Sequence, residues 1–584
     1  MSRATTASYL VHPTARLEGG GLARFMAAAV FLVAMLVAVA VLFHFRDRFW
    51  WAPLDGTYAY LAERLLAGEV LDSRAQGLPI GLVHFVNALS FRAFGVDLVS
   101  LRYPLLVLTL VQSGITFWLL ARRGILLAFA GAMGMICLTF VQFLSPVPQW
   151  YALFLSVVIV ALLSDHRGAG RGSLELIGFL LAAMFLFLPL SGLFAAFGVL
   201  TFLLLQEQRP AERERALLAR GLALAMFAAL AIYLRANTDI TSALLFGAGP
   251  LLLLGFAFTT ASLSDGCLCR LLLRLGLGVL LAILPFAAYY LYQGNLGGWW
   301  YGVVAEIVIP AGFDATEEGR GFAVLAIEGL ERSLSGGRAA ILNGLFWVAL
   351  PLLPASLALV LLRMFLRGEA CGRAALPIFA SFFALVSAHF AAPLSLFFGA
   401  ALTLAALLYL GARAGQRSRI ALAAICLVLS LSGLTYQAGQ PVSRGWDGIV
   451  AGRTKTIVAP TGLARASLTV AADEAVLYGL LLNMIETHGG DGEEILVLPA
   501  SPEVYFLAGQ RGPLGLADAG RGLRSEAALR AAAAALAQAP PSLLIYRPGD
   551  PANTPLLRRL VAGLRDRYRH VETAGGFEIY RLKG

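Results

Sequence analysis

Apolar residues fall in long uninterrupted blocks separated by short Arg-bearing breaks as far as residue 438, after which polar and apolar positions mix more evenly. Blocks near the ~20 residues that a helix needs to cross a ~30 Å hydrocarbon core predict membrane helices. The expected spans lie near 25–43, 101–120, 124–142, 148–163, 174–190, 191–206, 219–234, 242–262, 271–292, 341–362, 374–388, 391–411 and 420–438, thirteen in all. The first follows Arg3, Arg16 and Arg24 and meets no small-residue cleavage pattern before Arg46, so it is expected to be a retained anchor.

One further apolar block, 78–94, either crosses or lies in the interface, and the charges decide between them. If it lies flat, the next span delivers Arg122-Arg123 to the side of the N-terminus. The Arg-bearing loops 165–171, 207–220, 265–270, 363–373 and 413–419 then share that side, as the positive-inside rule prefers. An interfacial helix is therefore expected, with the N-terminus cytoplasmic and the segments 46–100 and 294–340 on the outer face. The second of these carries Trp299-Trp300-Tyr301 near its start, read as interfacial aromatics or a sugar-stacking platform.

An odd number of spans leaves 440–584 outside as well. This tail reads as a small α/β domain, with strands at 494–498, 542–546 and 577–582 and a helix at 525–537, beside a membrane domain at 1–439.

Composition sharpens this picture, since 59% of the residues are hydrophobic, 14% are charged and the mean hydropathy is +0.77. A soluble protein is excluded. The net charge of +10 is a topology signal carried by the short loops, and no nucleic-acid partner is expected. The five cysteines lie in or beside apolar blocks, which implies no disulfide framework, and Cys267-Leu-Cys269 has no second pair at metal-site spacing.

Functional carboxylates of transporters sit within their spans, because a mid-membrane charge is kept only for a purpose. No Asp or Glu falls in the middle of an expected span, and no inverted repeat of broken helices is seen. Polar chemistry is concentrated in the two outer segments instead. The first reads Trp51-Ala52-Pro53-Leu54-Asp55-Gly56-Thr57-Tyr58, a short helix at 61–67, Gly68-Glu69, Asp72-Ser73-Arg74 and Pro79. On its residues alone Asp55 reads as a helix N-cap directly before 56–67 or as a functional carboxylate.

An Asp just after the first membrane helix, a Tyr three residues on, Leu-Leu-Ala-Gly-Glu at 65–69, a Pro-led apolar helix ending Phe94-Gly95 and then Arg102 resemble the GT-C superfamily of membrane glycosyltransferases. The likeness is to bacterial relatives of the protein O-mannosyltransferases, the aminoarabinose lipid A transferase and the rhizobial galacturonosyltransferases. It extends to the tail, at Ile495-Leu496-Val497-Leu498-Pro499 and Tyr505-Phe506-Leu507. The resemblance implies a GT-C fold in the bacterial inner membrane and an inverting transfer of a sugar from a polyprenyl-phosphate donor to an envelope glycan or glycolipid on the periplasmic face.

By the same resemblance Asp55 is the general base, and Tyr58, Asp72, Arg74, His84 and Arg102 are the substrate-binding candidates. The two arginines suit the leaving phosphate, because a guanidinium fork matches its oxygens. Arg320, Arg332, Arg338 and His389 are further candidates of that kind. No cofactor and no bound metal are expected. The sequence departs from its relatives at Gly56, where many carry a second acidic residue, and at Leu78-Pro79, where they carry Lys-Pro or Pro-Pro. Protein O-glycosylation, a lipid or polysaccharide transporter and a non-catalytic scaffold are the rival readings.

Overall fold

A computed structural model describes residues 21–76, 78–164, 173–206, 216–308, 338–369, 374–389, 393–436, 458–489 and 494–583, with isolated positions between 309 and 337. The protein is a bundle of apolar helices with a small α/β domain at the C-terminal end. Among the described residues, eight helices are long and apolar enough to cross a membrane: Arg24–Phe45, Leu98–Ala121, Ile125–Gln142, Leu217–Asn237, Ile240–Thr260, Asp265–Tyr292, Gly344–Leu366 and Gln416–Leu434. The remaining expected spans fall on the shorter apolar helices Pro148–Ser164, Ser173–Phe187, Pro189–Leu204, Ala375–Ala388 and Leu396–Gly411. The long helices carry many exposed large apolar side chains, such as Leu273 and Leu284 of Asp265–Tyr292 and Leu359 of Gly344–Leu366, which are what a lipid-facing surface needs.

Close helix crossings are made by glycine. A Cβ on Gly178 would lie 2.1 Å from the Leu275 carbonyl oxygen, and one on Gly278 would lie 1.9 Å from that of Glu175. Ser173–Phe187 and Asp265–Tyr292 thus pack backbone to backbone, with Arg274 Nε and Nη2 donating to Glu175 at 2.6 and 2.9 Å.

After α1 (Gly21–Phe45), the first outer segment folds as α2 (Ala52–Leu66), the short α3 (Ser73–Gln76) and α4 (Leu82–Phe94), and α5 (Tyr103–Ala121) re-enters the bundle. At 13 residues α4 is about 20 Å long and is not among the eight helices long and apolar enough to cross. It lies against α2, burying Val83, His84, Asn87, Ser90 and Phe91.

The tail is a three-layer α/β unit. Its sheet runs β3-β4-β6-β5, built from β3 (Ile495–Leu498), β4 (Leu543–Tyr546), β5 (Tyr568–Ala574) and β6 (Phe577–Leu582). The β3–β4 pair is parallel and the other two are antiparallel. Both faces of β3 are covered: Ile495 and Val497 meet one core cluster, and Leu496 and Leu498 meet another with Leu529, Leu536 and Leu560 from helices Glu526–Gln538 and Pro555–Arg565. The three expected strands and the expected helix are present. The largely exposed edge strand β5 and the helices Ala472–His488, Pro502–Ala508 and Pro555–Arg565 are additional.

The first outer segment and the tail share one core. Tyr60 stacks on Tyr505 at 5.3 Å, and Phe91 stacks on Phe506 at 5.7 Å. A small hairpin, β1 (Val458–Pro460) and β2 (Thr469–Ala471), joins the chain after α1, with Phe49 N donating to Thr469 O at 2.8 Å and Thr469 N to Asp47 O at 2.7 Å. Both regions therefore lie on one side of the membrane, which requires an even number of crossings between them. The twelve expected spans from 101 to 438 give that parity only with α4 outside the count.

Candidate active site

Pro53 stands in the first turn of α2, where no N–H is needed, and Asp55 N donates to Trp51 O at 2.8 Å. The helix begins at Ala52, so Trp51 is its N-cap and Asp55 lies within the first turn. This corrects the N-cap reading of Asp55 and the expected helix start at 61: a Pro near the start of a helix opens it early. The carboxylate is thereby placed at the positive end of the helix.

Asp55 is 2% exposed. Arg102 Nη2 lies 3.5 Å from Asp55 Oδ2, and the Ser145 hydroxyl is a second polar neighbour, yet neither carboxylate oxygen receives a well-aligned hydrogen bond from the described residues. Burial pushes the Asp55 pKa up, and Arg102 opposes that only in part.

Arg102, expected beside a phosphate, is 1% exposed. Its Nη1 donates to the carbonyls of Arg46 at 3.2 Å and Arg48 at 2.8 Å, and its Nη2 donates to that of Phe49. Phe49 has a φ of 51°, a left-handed conformation that a bulky residue holds only under external constraint. The guanidinium thus ties down the chain that leads from α1 to Asp55.

One turn along α2, the half-buried Tyr58 ring faces that of His84 at 5.6 Å. His84 meets the Gly81 backbone through Nδ1, its Nε2 has no partner among the described residues, and burial holds its pKa down to about 4, so the ring is neutral at physiological pH. Asn87, one turn further along α4, has a buried and unpartnered amide. Tyr151 is an electrostatic neighbour of Tyr58, stacks on Phe187 at 4.7 Å and has a hydroxyl without a hydrogen-bond partner among the described residues.

Asp55, Tyr58, His84 and Arg102 are therefore brought together, with Ser145 and Tyr151 added by the fold and Asn87 one turn from His84 on α4. Ser145 and Tyr151 flank a Pro-punctuated break, Ser145-Pro146-Val147-Pro148, between two apolar helices. Sequence reasoning does not single them out; a polar residue beside such a break in an apolar run is the signal that could have found Ser145 and Tyr151.

Asp72 and Arg74 form a second group. Asp72 Oδ1 accepts from Arg74 N at 2.8 Å. Arg74 is exposed, donates from Nη2 to Gly297 O at 3.3 Å and lies 5.7 Å over the Tyr301 ring. The start of the expected loop 294–340 is a helix, Leu296–Val308, set against α3 on its glycines. A Cβ on Gly298 would stand 2.5 Å from Asp72 Oδ1, and one on Gly302 would stand 2.6 Å from Ser73 Oγ. Trp299 is buried against Phe286 and Tyr290, while Trp300 and Tyr301 remain 56% and 46% exposed. Arg320 and Arg332 lie outside the described residues, as do the side chains of Arg338 and His389. Among the described residues no group of three or more His, Cys, Asp or Glu comes together.

No protein-family model matches the chain, and no curated protein matches it. Among solved structures it is similar to ArnT from Cupriavidus metallidurans in the apo state, at 13% identity and a TM-score of 0.42 over 95% of this chain and 97% of that one. It is similar to the same protein bound to undecaprenyl phosphate, at 12% identity and a TM-score of 0.39 over 96% and 98%. It is also similar to the Archaeoglobus fulgidus oligosaccharyltransferase in complex with zinc and sulfate, at 14% identity and a TM-score of 0.43 over 89% and 68%.

Proposed function

We propose that the protein is a multi-pass glycosyltransferase of the bacterial inner membrane, with its tail in the periplasm. It takes a sugar from a polyprenyl-phosphate donor and passes it to a hydroxyl of an envelope glycan or glycolipid. The observation that carries this reading is the Asp55 carboxylate. It is buried at the outer end of the bundle, raised in pKa by burial, and held by Arg102 without a well-aligned hydrogen bond to either oxygen. A carboxylate of raised pKa is a better base than an exposed one. The sequence resemblance at 54–102 supplies the reaction class.

In the proposed reaction the acceptor oxygen attacks the anomeric carbon from the face opposite the donor phosphate. The bond from that carbon to the phosphate oxygen breaks, the phosphate leaves with the electron pair, and the acceptor proton goes to Asp55. Inversion follows from the single displacement. Tyr58 and the neutral His84 line the sugar side, because an unpartnered Nε2 suits a sugar hydroxyl. Arg74, exposed above Tyr301, is the phosphate ligand, and Asp72 fixes the turn that carries it. Arg102 positions Asp55 by holding 46–49.

The test is a deletion strain complemented with wild type or Asp55→Asn at equal membrane expression, its glycolipids and surface polysaccharide compared by mass spectrometry. Loss of one sugar that wild type restores and the mutant does not is expected. Full restoration by the mutant rejects the base.

A further inference from the structure

The residue that follows Asp55 has no side chain, and the tail uses the space. A Cβ on Gly56 would stand 2.4 Å from the N, Cα and Cβ of Glu503 in the first turn of Pro502–Ala508. The backbone of α2 therefore rests directly on Glu503, one residue from the carboxylate. Arg465 reinforces this seat, pairing with Glu63 of α2 and donating from Nη1 to Phe506 O at 2.6 Å.

Glu503 is an unusual residue for such a position, since it is completely buried. Its Oε1 accepts from Tyr478 Oη at 3.1 Å, and its Oε2 has no partner among the described residues. The Tyr478 ring lies 5.0 Å from Trp50, whose Nε1 donates to Glu474 at 3.2 Å. Arg547 and Asp550 are the other charged groups that act on Glu503, with opposite signs. A buried carboxyl held by neutral donors is penalised far more when ionised than when neutral. Burial accordingly pushes its pKa up to about 7.

We propose that Glu503 is a positioning residue for Asp55, acting through the backbone contact between Gly56 and the first turn of Pro502–Ala508. This rests on the reading of Asp55 as the base. The contact has consequences on both sides of Asp55: Arg102 holds the chain before it, and Glu503 holds the chain after it. Ionised Glu503 draws water or a counter-charge into the seat and loosens α2, whereas neutral Glu503 keeps it closed.

The sign of the pH effect is fixed. An acid whose pKa in the fold is about 7, against an ordinary 4.5, favours the seated state fully below 4.5, and that advantage is lost as pH rises to about 7. Full-length protein in detergent, as wild type, Glu503→Gln and Gly56→Ala, is compared by hydrogen exchange of the α2 amides from pH 5 to 8, corrected for intrinsic rates. Relative to Glu503→Gln, wild type is expected to lose protection by up to about tenfold per pH unit until about pH 7 and to level off above it. Gly56→Ala is expected to lose at least about tenfold throughout, since its methyl meets backbone that cannot turn aside.

The transfer rate is read on the same samples, and Glu503→Gln should flatten its pH profile. Coincident exchange profiles for wild type and Glu503→Gln overturn the proposal, as does native protection in Gly56→Ala. A changed exchange profile with an unchanged rate profile overturns the positioning role. If Asp55→Asn retains full transfer, the base assignment fails, and the exchange data still judge the seat.

Discussion

Asp55 and Arg102 meet at 3.5 Å with almost no exposure to water, but their dependence on each other is unequal. Arg102 has three backbone carbonyls as well as Asp55, while Asp55 has Arg102 as its ion-pair partner. Removing one member of a buried pair typically costs about 3–5 kcal/mol. Arg102→Ala is expected to reach that range, because it also strands the carbonyls of Arg46, Arg48 and Phe49. Asp55→Asn should cost clearly less, since the guanidinium keeps its carbonyls. Arg102→Lys should fall between them, for a single ammonium cannot span what a planar fork spans. Thermal unfolding in one detergent ranks the three, and a larger loss for Asp55→Asn than for Arg102→Ala rejects the clamp.

Much of this arrangement is written in the sequence, for identifiable reasons. The membrane helices are legible because length and apolarity decide them. The strands 495–498 and 543–546 are legible because both of their faces are apolar. Asp55 is legible as a candidate carboxylate, but its place inside α2 is not, since Trp51 to Leu54 carry no helical periodicity and only Pro53 marks the start. Ser145 and Tyr151 are polar residues in apolar surroundings, and only the fold brings them to Asp55 and Tyr58. Gly56 is visible as a departure from the resembled family. That Glu503 fills the vacated space, 447 positions later by residue number, depends on a tertiary contact that no local pattern encodes.

The glycine face of Leu296–Val308 allows a separate test of the phosphate group. Gly302→Ala gains about 1 kcal/mol of helix propensity, but its methyl meets Ser73 Oγ at 2.6 Å, Ser73 Cβ at 2.7 Å and Pro79 Cα at 3.3 Å. Overpacking of about 1–3 kcal/mol outweighs the gain. The helix should move off α3 and carry the Gly297 carbonyl and Tyr301 away from Arg74. A KM for the proposed polyprenyl-phosphate donor raised several-fold, with kcat changed less, is the expected result. Unchanged kinetics with an unchanged Tm contradict the packing.

His84 makes the protein sensitive to acid. Its pKa is about 4 in the fold against an ordinary 6.5, so between those values the unfolded chain binds the proton and the folded one does not. Stability therefore rises with pH across that window, by up to about 3 kcal/mol. Glu503 acts in the opposite direction between 4.5 and about 7, so wild type should show a shallow dependence where the two overlap. His84→Gln should expose the falling limb from Glu503, and Glu503→Gln the rising limb from His84. Denaturation midpoints at pH 4.5, 5.5 and 6.5 measure both, and parallel curves for all three proteins contradict the assignment.

Removing the tail should unfold the first outer segment rather than leave a trimmed enzyme. Tyr60 and Phe91 are buried against Tyr505 and Phe506, and burying a large apolar side chain contributes about 1.5–3 kcal/mol. Two such rings amount to about 3–6 kcal/mol, a large share of the ~5–15 kcal/mol that holds a typical domain together. The polar contacts go with them: Gln76 Nε2 to Gly515 O at 2.8 Å, Ala517 N to Gln76 Oε1 at 2.9 Å, and Ser467 Oγ to Asp97 at 2.6 Å. A chain ending at residue 439 should keep its membrane helices, whose core lies elsewhere, and be cleaved between α1 and α5 by trypsin at Arg64, Arg74 or Arg92. Mass spectrometry of the fragments locates the cuts. Protection of those sites equal to that of the full chain implies that α2 and α4 hold Asp55 in place by themselves, and that the tail merely rests on a segment already folded.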